Sequence, residues 1–231
     1  MMSRTSVKPS GPPGPTPDSA VRVFRAHSGL GTKGRLYSGN RDSASHHPIS
    51  NKQRLTLLFA DIRGFTGLAE EMDPEDCVRL LNVYFAVAAE AVQGFGGNVD
   101  NFQGDGLMAT FAASPGDETH ERRAVKCAVS LRETIRHLVI PGLPKGRLQV
   151  GIGISTGIAA VGYVGSRNRR DFTAIGDVVN VANRLQSISG PDQIVISQET
   201  CCHIGDDLPL EPLGLLQLRG RVQPVAAFAV K

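Results

Sequence analysis

The stretch Leu55 to Thr66, LTLLFADIRGFT, constrains this chain more than any other. Leu55 to Ala60 form an apolar run of strand length, too short to cross a membrane and closed by a charge. Asp61 follows, then Arg63-Gly64-Phe65-Thr66. A carboxylate at the end of a buried strand is poorly solvated unless a cation meets it. The turn beyond carries Gly64 and Gly67, which let backbone N–H groups approach an anion at the start of the next helix. A carboxylate beside an anion cradle is contradictory until a divalent metal bridges the two. The stretch therefore reads as half of a metal–phosphate site, with Gly64, Phe65 and Thr66 toward the anion.

The other half lies in Gly97 to Phe111, GNVDNFQGDGLMATF. Two apolar-rich segments, Val99 to Phe102 and Leu107 to Phe111, flank Gln103-Gly104-Asp105-Gly106. An Asp-Gly between alternating runs favours a tight hairpin turn, here with Asp105 at its tip. A lone Asp-Gly is usually only a turn. Paired with Asp61 at the end of another strand, it gives two carboxylates able to hold two Mg²⁺ ions on a triphosphate.

Local signals order the rest of the chain. Asp73-Pro74-Glu75-Asp76 starts a helix, with Asp as N-cap, Pro at the first position and acids in the first turn. Its apolar positions Val78, Leu81, Tyr84, Phe85, Ala88 and Val92 are expected on the sheet, and Gly94, Gly96 and Gly97 end it. A second helix is expected over 117–138, with Ala124, Cys127, Ala128, Leu131, Ile135 and Leu138 buried. Residues 141–146 read as loop, Leu148 to Ile154 as a central strand, and Ile158 to Val164 as a strand pairing after it. Ile175-Gly176-Asp177 turns into a helix capped by Asp177, on which Asn180 and Arg184 share a face. Strands at Ile194 to Ile196 and Val225 to Val230 follow, with a short helix near Gln198. The order β-α-β-β-α-β is the split βαβ, ferredoxin-like pattern, so the fold class is α+β with extra C-terminal strands.

Composition divides the chain at about residue 50. Residues 1–54 hold nine Lys or Arg against two acids, and the remainder holds 16 against 20. Residues 1–50 are rich in Pro, Gly and Ser and cannot bury enough apolar surface to offset their ordering entropy. They read as a disordered, solubilising leader, with His46 and His47 as tail residues, ahead of one domain over 51–231. Cys77, Cys127, Cys201 and Cys202 show no C-x-x-C spacing and read as reduced thiols. No stretch reaches 18 apolar residues and no signal-peptide core is present, so a cytoplasmic protein is expected.

The segments FADIRGFT, NFQGDGLMATF, VGIGISTG and DFTAIGDVVNVANR, in this order and spacing, together resemble the catalytic domain of class III nucleotidyl cyclases, the adenylyl and guanylyl cyclases. The resemblance covers about Leu55 to Val230. It implies a homodimer whose shared sites convert a nucleoside triphosphate to the 3′,5′-cyclic nucleotide and pyrophosphate. Asp61 and Asp105 would each touch two Mg²⁺ or Mn²⁺ ions, with the Ile62 carbonyl as a further ligand. From the other chain, Asn180 would orient the ribose, and Arg184 would meet the phosphates and stabilise charge in the transition state. Arg219 stands where the family usually has a triphosphate-binding Lys. Arg167, Arg169 and Arg170 lie where it has an inter-subunit arm.

Three positions depart from the commonest adenylyl cyclase pattern. Asn101 replaces a base-reading Lys, and Thr173 replaces a base-reading Asp, as in a known subgroup. Gln149 stands where some members have Arg. ATP is thus the favoured substrate, with GTP as the alternative. A non-catalytic nucleotide-sensing dimer is the rival from another class; it should have lost Asp61, Asp105, Asn180 or Arg184, and all four are present. A diguanylate cyclase should carry a Gly-Gly-Asp/Glu-Glu-Phe hairpin, from which QGDGL departs. An upstream sensor or regulatory partner is expected, with membrane association only through such a partner, and nucleic acid is not.

Overall fold

The computed structural model describes residues 51–113, 119–140, 148–166, 170–206 and 208–231. The leader 1–50, Asp117, the loop at 141–146, Arg167 and Arg169 lie outside the described residues.

The apolar run around Leu55 extends in both directions to form β1 (Asn51–Ile62). The hairpin follows as β2 (Asn98–Gln103) and β3 (Gly106–Ala112), joined at Gly104-Asp105 as the Asp-Gly signal requires. Strand β4 (Val150–Gly165) turns back into β5 (Arg170–Ile175), and β6 (Ile194–Ser197), β7 (Leu210–Leu216) and β8 (Val225–Val230) complete the sheet. The strand order is β2-β3-β1-β4-β6-β8-β7, with β5 on β4. β1 lies between β3 and β4, antiparallel to both, which is the ferredoxin-like core. β6 joins parallel to β4, and β8 and β7 extend that edge.

Among the described residues, five helices connect the strands: α1 (Phe65–Glu71), α2 (Pro74–Gly94), α3 (His120–His137), α4 (Asp177–Ile188) and α5 (Gln198–Cys201). Side chains alternate across a strand, so β1 serves two cores at once. Leu58, Ala60 and Ile62 pack with α2 and α3, whereas Leu55 and Leu57 pack with Val178 and Ala182 of α4. α4 presses closely on β4. A Cβ on Gly153 would lie 2.1 Å from the Gln186 backbone nitrogen and 2.3 Å from the Ala182 carbonyl oxygen, so only glycine admits the helix at this depth.

Asp73 caps α2 as expected, accepting from the Glu75 N–H at 2.9 Å, with Pro74 at the first position. The buried stripe of α2 is Leu80, Tyr84, Ala88 and Val92, all 0 % exposed, while Val78 is 58 % exposed. The expected stripe mixed two registers: spacing of four places Leu80 inward, and Val78 falls outside that face. Burying each large apolar side chain of this stripe stabilises the fold by about 1.5–3 kcal/mol. α3 begins at His120 behind a Thr119 cap, and Ala124, Cys127, Ala128, Leu131 and Ile135 are buried on it.

The strand expected to end at Ile154 and pair with Ile158–Val164 is instead one continuous strand of 16 residues, whose far half pairs with β5. Ser155-Thr156-Gly157 stays extended because it is held inside the sheet opposite Leu57, Thr56 and Leu55. The Thr156 hydroxyl is buried and bonded to Thr56 Oγ1 at 2.8 Å and Thr200 Oγ1 at 3.0 Å. Reversing the chain here would strand those groups without partners.

Candidate functional site

Strand pairing brings the two aspartates together. Asp61 pairs with Gly106 across β1 and β3, so the hairpin turn carrying Asp105 lies beside the end of β1. Asp105 is half-buried, and its carboxylate accepts from its own backbone N–H and that of Ile62. Burial, joined by the Asp61 charge, pushes its pKa above the usual carboxylate range. Gly64, with φ 71°, turns the chain directly into α1, so the first-turn amides of Phe65 and Thr66 follow the carboxylate at once, with no side-chain cap. Gln149, one of the departures from the family pattern, reaches this corner through its backbone: its carbonyl accepts from the Arg63 N–H at 2.8 Å.

One charged partner at this corner was not singled out from the sequence. The Arg63 guanidinium forms an ion pair with Asp61 Oδ1 and reaches the Ser189 carbonyl at 3.4 Å. It lies over Gly151, where a Cβ would fall 2.6 Å from Nε. The available signal was the Asp-x-Arg spacing, which places both side chains on one face of an extended strand.

A second group forms on α4 and the β7–β8 connection. Arg184 and Arg219 line a cleft of about 540 Å³ together with Ser187, Ile188, Gln217 and Gly220. Neither guanidinium has an ion-pair partner among the described residues, so two planar cations face one concavity. Asn180 lies one turn earlier on α4 and is exposed. Asp177 does not cap this helix. Gly176 is the N-cap, without a side-chain bond, and Asp177 instead pairs with Arg221 at 3.2 Å.

The two base-reading positions stand on β2 and β5. Asn101 is exposed beside a bulge at Asp100, and Thr173 pairs opposite Gly162. β5 approaches β2 directly, so the two carriers are neighbours within one chain. The bulge directs Asp100 inward, where Asn98 Nδ2 and Thr110 Oγ1 donate to its Oδ1 at 2.7 and 3.0 Å. Burial nevertheless pushes this carboxyl up to about 6. A raised folded pKa means stability is lost as pH rises from about 4 to 6, and the cost, roughly 3 kcal/mol, is fully felt above pH 7. Asp100→Asn keeps the shared acceptor oxygen and removes the charge. It should raise stability by about that amount at pH 8 and by nothing at pH 3.5, measured by denaturant unfolding at both pH values.

Two carboxylates, a backbone carbonyl and no third acidic, His or Cys side chain in reach among the described residues suit a hard cation that keeps substrate oxygens and water. The raised pKa of Asp105 supports the same fit, because a cation would relieve its burial and its repulsion by Asp61.

Residues 48–230 match the family model described as the adenylate and guanylate cyclase catalytic domain. "Adenylate cyclase 1" of Rhizobium meliloti is 34% identical over 185 residues, which are 78% of this chain and 28% of that protein. This chain thus spans less than a third of that relative's length. The crystal structure of the adenylyl cyclase CyaB from P. aeruginosa superposes with a TM-score of 0.71 at 32% identity, covering 79% of this chain and 95% of that one. That of the guanylyl cyclase Cya2 does so with a TM-score of 0.69 at 34% identity, covering 78% and 93%. No described helix is long and apolar enough to cross a membrane.

Proposed function

We propose, on the premise that this chain belongs to the adenylate and guanylate cyclase catalytic-domain family, that it is an adenylate cyclase which closes ATP into 3′,5′-cyclic AMP and pyrophosphate. The observation that carries the reading is the meeting of Asp61 and Asp105 at the end of β1, in a chain that also gathers Arg184 and Arg219 into one cleft. In the reaction the ribose 3′-oxygen bonds to the α-phosphorus and the bond to the β-phosphate oxygen breaks. The 3′-hydroxyl proton passes to solvent or phosphate.

Asp61, Asp105 and the Ile62 carbonyl would hold Mg²⁺ or Mn²⁺, two ions per site, which when bound lower the pKa of the 3′-hydroxyl and neutralise the triphosphate. The amides at Gly64, Phe65 and Thr66 contribute donors to the phosphates. Arg184 presents its guanidinium to oxygens whose charge grows in the transition state, and Arg219 binds the terminal phosphates. Asn180 orients the ribose. Asn101 and Thr173 read the base.

The site is completed by a second copy of this chain. Asn180 is exposed, and Ile158, Tyr163, Val164 and Ile175 leave apolar surface open on the β4–β5 ribbon, which suits burial against another protomer. A sensor or regulatory partner fits a domain that matches so small a part of its longer relative.

GTP is the second reading, because the Asn101 amide and the Thr173 hydroxyl each offer both donor and acceptor and discriminate weakly. The test is purified protein with Mn²⁺ and ATP or GTP, with cyclic products identified by mass. Cyclic AMP should dominate. More cyclic GMP than cyclic AMP overturns the ATP assignment, and no cyclic product from either nucleotide overturns the enzyme. Rejection of GTP by more than roughly 10³-fold, about 4 kcal/mol, would show that groups other than Asn101 and Thr173 read the base.

A further inference from the structure

Arg63 leaves the end of β1 on the face that carries Asp61, and the fold has a slot for it. Gly151 of β4 stands directly opposite Asp61 in the strand register, and the guanidinium lies over it. A Cβ there would fall 2.6 Å from Nε and 2.7 Å from Cζ, so a side chain at 151 would close the slot. The far wall is Ser189, the buried residue that ends α4, whose carbonyl accepts from Nη1 at 3.4 Å. A cation is favoured at a helix C-terminus, so this wall suits the guanidinium as well.

The grip on Arg63 is nonetheless uneven. Its Nε is enclosed and has no hydrogen-bond partner among the described residues. The Ser189 contact is long, and Asp61 is the one carboxylate paired with the guanidinium among those residues. Much of what offsets the desolvation of this part-buried charge therefore comes from Asp61. Asp61 is also one of the two carboxylates that suit a hard divalent cation. A guanidinium and a dication brought to the same carboxylate repel each other at short range, most strongly where water is scarce. Arg63 and the metal are rivals for Asp61.

We propose that Arg63 is a positioning residue that serves as the counter-cation of Asp61 in the metal-free protein and competes with the divalent cation for that carboxylate. The inference rests on the cation reading of the site given above and adds to it a group that opposes cation binding. Without metal, the ion pair keeps Asp61 aimed and offsets its repulsion by Asp105. When metal binds, the guanidinium gives up the carboxylate and keeps the Ser189 carbonyl at the end of α4. Arg63 touches no reacting atom; it acts through Asp61.

The test is a titration of the full chain with Mn²⁺ alone, free ion followed by electron paramagnetic resonance, on the wild type, Arg63→Met, Arg63→Gln, Arg63→Lys and Asp105→Asn. Metal-free thermal unfolding is measured on the same proteins. The neutral variants, Arg63→Met and Arg63→Gln, should bind Mn²⁺ about tenfold more tightly than the wild type and unfold at a lower temperature without metal. Arg63→Lys keeps the charge and should bind within about threefold of the wild type. Neutral variants that bind within about twofold of the wild type, or more weakly, overturn the competition and leave the cation site standing. Arg63→Lys binding as tightly as the neutral variants overturns it as well, because charge would not be the cause. Neutral variants more stable than the wild type without metal show that Arg63 offsets nothing at Asp61, and failure of both to fold marks it as structural; either result overturns the proposal. If neither the wild type nor the neutral variants hold Mn²⁺ better than Asp105→Asn does, the cation reading fails and takes the proposal with it.

Discussion

Replacing Asp61 or Asp105 with alanine is expected to lower cyclisation by at least about 10³-fold, roughly 4 kcal/mol of transition-state stabilisation, while leaving the domain folded. Both side chains sit at one corner, and neither belongs to the apolar clusters that hold the sheet to its helices. The two variants should nevertheless differ in stability. Asp61 is the ion-pair partner of the part-buried Arg63, so Asp61→Ala leaves that guanidinium unpaired and should destabilise by about 1 kcal/mol or more. Asp105 is pushed up by burial and by the Asp61 charge, so Asp105→Ala removes a repulsion and should be neutral or stabilising without metal. Product formation at several Mn²⁺ concentrations, with thermal unfolding in a chelator, tests both halves. Activity persisting in either variant contradicts the two-carboxylate cation site.

Mixing two dead proteins should restore function. If each site takes Asp61 and Asp105 from one chain and Asn101, Thr173, Asn180, Arg184 and Arg219 from the other, a two-fold dimer has two equivalent sites. An Asp61→Ala chain paired with an Asn180→Ala chain gathers both lesions into one site and leaves the other native. With free exchange and equal amounts, half the dimers are mixed and each has one working site, so about a quarter of wild-type activity should return. The structure sets the conditions for this experiment, because Asn180 is exposed on α4 and its replacement removes no core contact. Specific activity should also fall on dilution as the dimer dissociates. No recovery, once subunit exchange has been demonstrated by a separate label, means that each chain builds its own complete site.

What the sequence by itself determined lies where short-range chemistry decides the outcome. The β1 run ending in Asp61 and the Asp-Gly hairpin are set by patterns of a few residues, and so is the Asp73-Pro74 start of α2. Four such segments in register also sufficed to bring the cyclase family into view. Tertiary structure decided whatever depends on partners distant in sequence. Ser155-Thr156-Gly157 looks like a break between two strands until Thr56 and Thr200 hold it extended inside the sheet. Asp177 has the composition of a helix cap, but Arg221, from a connection far downstream, takes its carboxylate. Arg184 and Arg219 become one cationic cleft only when the β7–β8 connection folds beside α4. Local periodicity fixes which face a side chain takes, whereas what waits on that face is fixed by chain closure over tens of residues, for which a sequence window carries no signal.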